Sequence, residues 1–369
     1  MSEDRPAEVF PPGEYLEDEI NARNWSQAEF ANIIGRPPTV VSMIVTGKRA
    51  ISPEIAKEIG AALGTGPEVW MNLETAYRLW VGEPAPSRIE RRARLSSRAP
   101  IRELINRGWL IDSENVDVLE GELLRHLEIE ALDDPSQLAH AAKQSHYGRA
   151  ISGTQEAWLM RVKHIAATMP TPQYSEAKLR RAVEQMRPLL SAPDEARHAP
   201  RLLLEAGVRL VVVEQLPGLK IDGVCFWLDE HRPVIGMSLR YDRIDNFWFV
   251  LRHEIEHVLN RDGTVIDDLD PNQAGVSVQE EAANEAAQDF CVATADLTDF
   301  TDRTGPLYTD DKLRRFAKTI GVHSGIIAGQ LRRKLNRYDL FTSHLAKIRN
   351  TVTSAALVDG FGSTLPVKR

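Results

Sequence analysis

Residues 247–260, Phe-Trp-Phe-Val-Leu-Arg-His-Glu-Ile-Glu-His-Val-Leu-Asn, contain no glycine or proline, and Trp248, Leu251, Ile255 and Val258 fall on one helical stripe. Asp245 stands at the N-cap position and Gly263 follows the expected end. The pattern requires a helix with that stripe against a core and the side carrying His253, Glu254 and His257 over a cleft. Residues four apart on a helix project from the same face. Two imidazoles so placed can both reach one Zn²⁺ at roughly 2.0–2.1 Å, with the carboxylate between them free to act as a general base. The bland alternative is an amphipathic helix whose histidines only hydrogen-bond to neighbours. Zinc held for hydrolysis wants a third protein ligand and one open position. Downstream, residues 278–292 are rich in helix formers and put Glu280, Asn284, Ala287 and Cys291 on one face. Glu280 is the ligand candidate, in a first turn backed by small residues. Glu281, pointing about 100° away, is the alternative. For both, the bland reading is a favourable charge near a helix N-terminus.

His253-Glu-Ile-Glu-His257 followed by Glu280-Glu-Ala-Ala-Asn284-Glu-Ala-Ala287 resembles the ImmA/IrrE family of metallo-endopeptidases. Their pattern is a zinc-binding H-E-x-x-H helix and then E-x-x-A-N/D-x-x-A on a second helix. The resemblance implies that His253, His257 and Glu280 are Zn²⁺ ligands and that Glu254 is the general base. The runs Gly207–Val213, Ile221–Trp227, Val234–Ser238 and Val322–Leu331 are similar to the family's sheet and later helix, so the likeness spans residues 201–345. Two positions depart from it. Glu256 stands where the family most often has Gly, and Phe290-Cys-Val-Ala293 lacks the usual Pro.

At 369 residues the chain is long enough for two or three domains. A formal charge of −8 argues against a whole-molecule polyanion binder but permits a local basic patch. Two cysteines, Cys225 and Cys291, make no disulfide framework. With no signal-peptide pattern at the N-terminus and no apolar run of membrane-spanning length, a soluble cytoplasmic protein is expected.

Residues 13–80 read as five short helices. Ser26-Gln-Ala-Glu29 is a capping box, Gly35 and Gly47 are stops, Pro37 with Pro38 and Ser52-Pro53 mark the entries of the third and fourth helices, and Pro67 or Glu68 starts the fifth. Two short helices across a glycine turn follow the helix-turn-helix plan. Residues 1–80 carry 12 acidic and 7 basic side chains, yet no acidic residue lies between Glu29 and Glu54, where Arg36, Lys48 and Arg49 occur. Those three and Gln27 are the candidate phosphate contacts; Thr39, Ser42 and Met43 are the candidate base contacts. Being short or apolar, the latter make no bidentate base contact, so weak sequence reading is expected. Pro12-Gly-Glu14, Trp25-Ser-Gln27, Gly35-Arg-Pro37, Gly47-Lys-Arg49 and Trp70-x-x-Leu73-x-x-x-Tyr77 resemble the HigA-type antitoxins of the XRE helix-turn-helix group. That resemblance implies double-stranded DNA as a partner, a homodimer, and a cognate toxin as a further partner. A helical bundle used only for dimerisation or toxin binding is the alternative.

Residues 81–87 read as a linker by their Pro and Gly content. The run Arg88-Ile-Glu-Arg-Arg-Ala-Arg-Leu-Ser-Ser-Arg98 is usually a solvated face, with phosphate contact the alternative. Residues 81–200 read as a helical spacer or sensor, with His140, His146 and His164 scattered at no ligand spacing. The strands between 207 and 239 read as an antiparallel unit, with Val234–Ser238 an edge able to receive a substrate backbone. His323 and Tyr241 are secondary candidates for oxyanion contact, a structural role being the safer reading. The expected fold is mainly α with a small antiparallel sheet: a helix-turn-helix domain (1–80), the spacer (81–200), a zincin-like metallopeptidase domain (201–345) and a tail (346–369). The expected function is zinc-dependent cleavage of a regulatory protein, tied to DNA. The rival is a HigA-like antitoxin or repressor whose zinc domain is structural or sensory.

Overall fold

Proline and side-chain caps fix where the helices of the first unit begin. The computed structural model describes residues 9–82, 87–145, 151–267, 278–360 and 362–365, so His146 lies outside the described residues. It forms two units, Met1–Ser87 and Arg88–Arg369. The first holds α1 (Pro12–Ala22), α2 (Gln27–Ile33), α3 (Pro38–Val45), α4 (Pro53–Leu63) and α5 (Pro67–Val81). Proline opens every one of these except α2, because its missing N–H costs nothing in a first turn. Helix α2 opens instead on a complete capping box, with Ser26 N–H donating to Glu29 at 2.7 Å and Glu29 N–H donating to the Ser26 hydroxyl at 3.2 Å. Leu16, Phe30, Val41, Ile44, Ile55, Ile59 and Trp70 form this unit's core.

The second unit begins with α6 (Ser87–Arg98), α7 (Ile101–Asn106), α8 (Val116–Leu127), α9 (Gln137–Ser145), α10 (Gly153–Thr168), α11 (Glu176–Met186) and α12 (Ala199–Glu205). Strands β1 (Arg209–Val212), β2 (Gly223–Trp227) and β3 (Pro233–Met237) precede α13 (Ile244–Asn260), β4 (Val265–Asp267) and α14 (Val278–Cys291). Then come α15 (Thr294–Thr304), α16 (Asp310–Ile320), α17 (Ser324–Leu335), α18 (Arg349–Thr353), β5 (Leu357–Gly360) and β6 (Ser363–Leu365). The strands form one sheet in the order β4-β2-β3-β1-β5-β6. No described helix is long and apolar enough to cross a membrane.

The chain is mainly helical with a small sheet, as expected, but the sheet is mixed. Strand β1 runs parallel to both β3 and β5, while β2–β3, β2–β4 and β5–β6 are antiparallel. Both faces are covered. Leu210, Val212, Cys225, Ile235 and Met237 pack with Trp248, Leu251 and Ile255 of α13. Val211, Val213, Val224, Phe226 and Val234 pack with Trp158, Val162 and Ile165 of α10.

That second face corrects three expectations. Of the expected spacer or sensor (81–200), residues 88–200 do not act as a mere spacer: α10 roofs the sheet with α8 packed on it, and Trp158 donates its indole N–H to the Val213 carbonyl at 2.9 Å. Residues 346–360 of the expected tail (346–369) are folded, since β5 pairs with β1 and Asp359 is buried; residues 366–369 lie outside the described residues. Val234–Ser238 is not an edge, because β3 lies between β2 and β1 and the edge on that side is β4. The basic run is a largely exposed face, three of whose arginines are paired within the unit. Arg91 pairs with Asp117 and Glu120, each at 2.7 Å, Arg94 with Asp133, and Arg98 with Glu156 at 2.6 Å.

Burial on this face should also make the unit acid-sensitive. His126 stacks on Trp109 with ring centroids 5.8 Å apart and faces the Ala157 carbonyl at 3.0 Å. Desolvation pushes its pKa down from 6.5 to about 4, against the pull of that carbonyl. A histidine whose folded pKa is depressed contributes fully above pH 6.5, and its contribution is lost as pH falls toward 4. The loss is on the order of 3 kcal/mol. Denaturant midpoints at pH 7 and 4.5 should diverge strongly in the wild type and less in His126→Gln; equal divergence would remove His126 as the cause.

Candidate functional site

Helix α13 carries the histidines because its apolar stripe is consumed by the sheet: Trp248, Leu251, Ile255 and Val258 are all buried. Its N-cap is Arg243, not Asp245, and carries no side-chain cap bond. Asp245 lies in the first turn and takes the Arg243 guanidinium in two contacts, at 3.0 and 2.6 Å. At the far end Arg261 adopts the left-handed conformation, φ 56°, and turns the chain back toward His257.

His253 Nε2 and His257 Nε2 lie 2.9 Å apart. From α14, Glu280 brings Oε2 to 3.3 Å from His253 Nε2 and Oε1 to 3.6 Å from His257 Nε2. Of the two acidic alternatives, Glu280 therefore faces the imidazoles and Glu281 is exposed. Buried Ala283 and Ala287 follow on α14, and side chains this small permit the close approach. The three donors lie within 4.8 Å of one another. A tetrahedral zinc with ligands at roughly 2.0–2.2 Å would set its donors about 3.3–3.6 Å apart. The donor set, two imidazoles and one carboxylate, fits such an ion in kind; the two imidazole–carboxylate separations match this spacing, while the 2.9 Å between the imidazoles is shorter than it.

The two histidines and Glu254 are enclosed. His253, Glu254 and His257 have no exposed surface, whereas the histidine side was expected over a cleft. Of the three donors, the Glu280 side chain, 24% exposed, lies nearest solvent. Glu256 forms an ion pair with Arg252 at 2.7 Å along the same helix. Its charge is thus compensated there.

Two contributors escaped the sequence reading. Asp262 Oδ2 lies 2.8 Å from His257 Nδ1. That contact fixes the imidazole's tautomer and leaves Nε2 as the donor atom. The available signal was an acidic residue just past the helix end, within reach of its last turn. Gly223, the first residue of β2, is the other. A Cβ there would stand 2.2 Å from Glu254 Oε1, so the bare backbone is what gives the buried carboxylate its room. If the trio holds zinc, replacing Asp262 by Ala should weaken that binding by about 10- to 100-fold, measured by competition with a chelating dye; unchanged affinity would remove its orienting role. The secondary candidates lie elsewhere. His323 caps α17, accepting the Gly325 N–H at 3.0 Å, and Tyr241 stands beside Arg240 and Arg243.

In the first unit, α3 buries Val41 and Ile44 and leaves Thr39, Ser42 and Met43 exposed on its other side. Lys48 and Arg49 follow, also exposed. Gln27 is half-buried at the start of α2, its amide 3.4 Å from Glu17. Arg36 differs from the expectation: its guanidinium holds Glu58 in a two-point pair at 2.8 and 2.7 Å, which raises its pKa. It ties α4 to the turn after α2 and is not a free phosphate contact.

Comparison with known proteins locates this first unit. The Helix-turn-helix family matches residues 16–70. The chain is 34% identical over 68 residues to YddM of Escherichia coli (strain K12), described as an uncharacterised HTH-type transcriptional regulator, a match covering 18% of this chain and 72% of that one. It is 34% identical to a protein of Nostoc punctiforme assigned as an antidote of a plasmid maintenance system, covering 20% of this chain and 81% of that one, with a TM-score of 0.20. It is 32% identical to an addiction module antidote protein of a HigA family from Coxiella burnetii, covering 19% and 77%, with a TM-score of 0.18. Scores this low carry no fold argument.

Proposed function

We propose, on the premise that this chain belongs to the helix-turn-helix family of transcriptional regulators through its first unit, that it is a DNA-binding regulator whose second unit is a zinc-dependent endopeptidase of the ImmA/IrrE type. The observation that carries the enzymatic part is the convergence of His253, His257 and Glu280, with Glu254 buried beside them.

Zinc held by these three residues would supply Lewis acidity toward a scissile carbonyl and a water of lowered pKa at its open position. The rest falls to the chain's own side chains. Glu254 takes a proton at its carboxylate and returns it to the leaving amine nitrogen. Gly223 leaves that carboxylate its room, and Asp262 holds His257 in the tautomer that presents Nε2. The absence of exposed surface at His253 and Glu254 keeps bulk water from competing for those atoms.

The substrate class is a regulatory protein, such as a repressor or an antitoxin, and the first unit would localise the enzyme to DNA. Thr39, Ser42 and Met43 would face base edges, with Lys48 and Arg49 on phosphates. A second reading is favoured by the enclosed histidines and the antidote relatives: an antitoxin-like repressor whose zinc centre is structural or sensory and whose partner is a cognate toxin. Proteomes of cells carrying wild-type or Glu254→Gln protein separate the two. A fragment present only with the wild type supports the peptidase. Identical proteomes with intact operator binding in both strains favour the repressor.

A further inference from the structure

Beside the trio, a cavity of about 390 Å³ is lined by Arg243, Arg332, Arg333, Asp222, Asp245 and Phe249, with Tyr241 and Tyr338 at its margin. Phe249 links the two places. Its ring lies 6.4 Å from that of His253, stacked at 27°, and the Arg333 guanidinium covers it at 4.7 Å. The positive charge here is incompletely matched. Asp245 is committed to Arg243, and α17 comes close enough to hold it because residue 329 is glycine: a Cβ there would lie 2.2 Å from Asp245 Oδ2. Among the described residues, neither Arg332 nor Arg333 forms an ion pair, although burial opposes the charge of both. Arg332 is only 7% exposed. Its Nη2 donates to the Tyr338 carbonyl, while its Nε and Nη1 have no hydrogen-bond partner. A buried guanidinium with open donors and no ion-pair partner is costly unless something anionic completes it.

We propose that this cavity is a carboxylate-binding subsite, with Arg332 and Arg333 as its recognising residues. A planar carboxylate matches the guanidinium fork, which an ammonium would not reproduce. The nearness of Phe249 to His253 makes an acidic side chain of a bound peptide one source of that carboxylate, and this arm rests on the peptidase reading above. A free dicarboxylate acting on the regulator is the other source.

The test is binding, so it does not depend on turnover. Full-length protein carrying Glu254→Gln is titrated calorimetrically with succinate and with two capped hexapeptides that differ only by Glu or Gln at the central position. Zinc content is measured on the same samples. The Glu peptide should bind at least tenfold more tightly than the Gln peptide, or succinate should saturate at one site per chain. The first outcome assigns the carboxylate to a peptide and the second to a free ligand. Arg332→Lys should abolish whichever preference is seen, and Arg333→Gln, a change at the less enclosed of the two arginines, should reduce it. Equal affinity for both peptides with no succinate binding would overturn the proposal. So would a preference that survives both substitutions. Loss of zinc with carboxylate binding intact would count against the peptidase reading alone.

Discussion

Replacing Glu254 by glutamine should leave zinc content unchanged and lower peptide cleavage by roughly 10²–10⁴-fold, the usual contribution of a positioned general base. The substitution is nearly isosteric, and the space left by Gly223 accommodates an amide as well as a carboxylate. What is lost is the ability to accept a proton at that position. Because residue 254 has no exposed surface, bulk buffer is a poor substitute for the missing base. Turnover of labelled casein, or of any fragment found in cells, read beside metal analysis of the same preparation, checks this. Undiminished cleavage would mean that Glu254 is not the base.

The second large effect concerns stability. Asp359 accepts from the Trp109 indole at 2.8 Å and from Arg161 at 2.6 Å, with the aspartate side chain 3% and the arginine side chain 13% exposed. The Arg161 guanidinium also lies over the Trp109 ring at 5.6 Å. Cutting the aspartate back to alanine strands a buried cation, which typically costs 3–5 kcal/mol (order of magnitude). Asp359→Ala should therefore shift the denaturant midpoint of the second unit far down. Asp359→Asn, which keeps an acceptor for Trp109, should shift it less. A loss below about 1 kcal/mol in the alanine variant would mean that this pair is solvated and that β5 is held by its backbone alone.

What could be read from the residues depended on whether the signal was local. The helices of the first unit announce themselves by proline entries and by Ser26 with Glu29, all within one turn of the positions they control. His253, Glu254 and His257 were legible because four-residue spacing translates directly into one helix face. Glu280 needed a distant helix to pack at the right angle, and nothing local could exclude Glu281. The second face of the sheet was harder to see. Val211, Val212 and Val213 form an unbroken apolar run of the kind that marks a strand buried on both sides. Taken as half of an antiparallel hairpin, that run left α10 with nothing to cover and made residues 88–200 look like a spacer. The contribution of β5 was invisible for a related reason, since Leu357 and Val358 gain their strand partner only from β1, at Val211 and Val212 far earlier in the chain. Arg36 misled because an exposed-looking arginine in an acid-free stretch can still find Glu58 from another helix. Asp262 and Gly223 act on atoms brought to them by folding, and no spacing rule points to either.

Metal analysis of the purified full-length chain tests the central claim most directly. One zinc per chain is expected in the wild type, retained in Glu254→Gln and lost in both His253→Ala and Glu280→Ala. A wild-type protein that holds no zinc, or a zinc that survives removal of His253 and of Glu280, would contradict it.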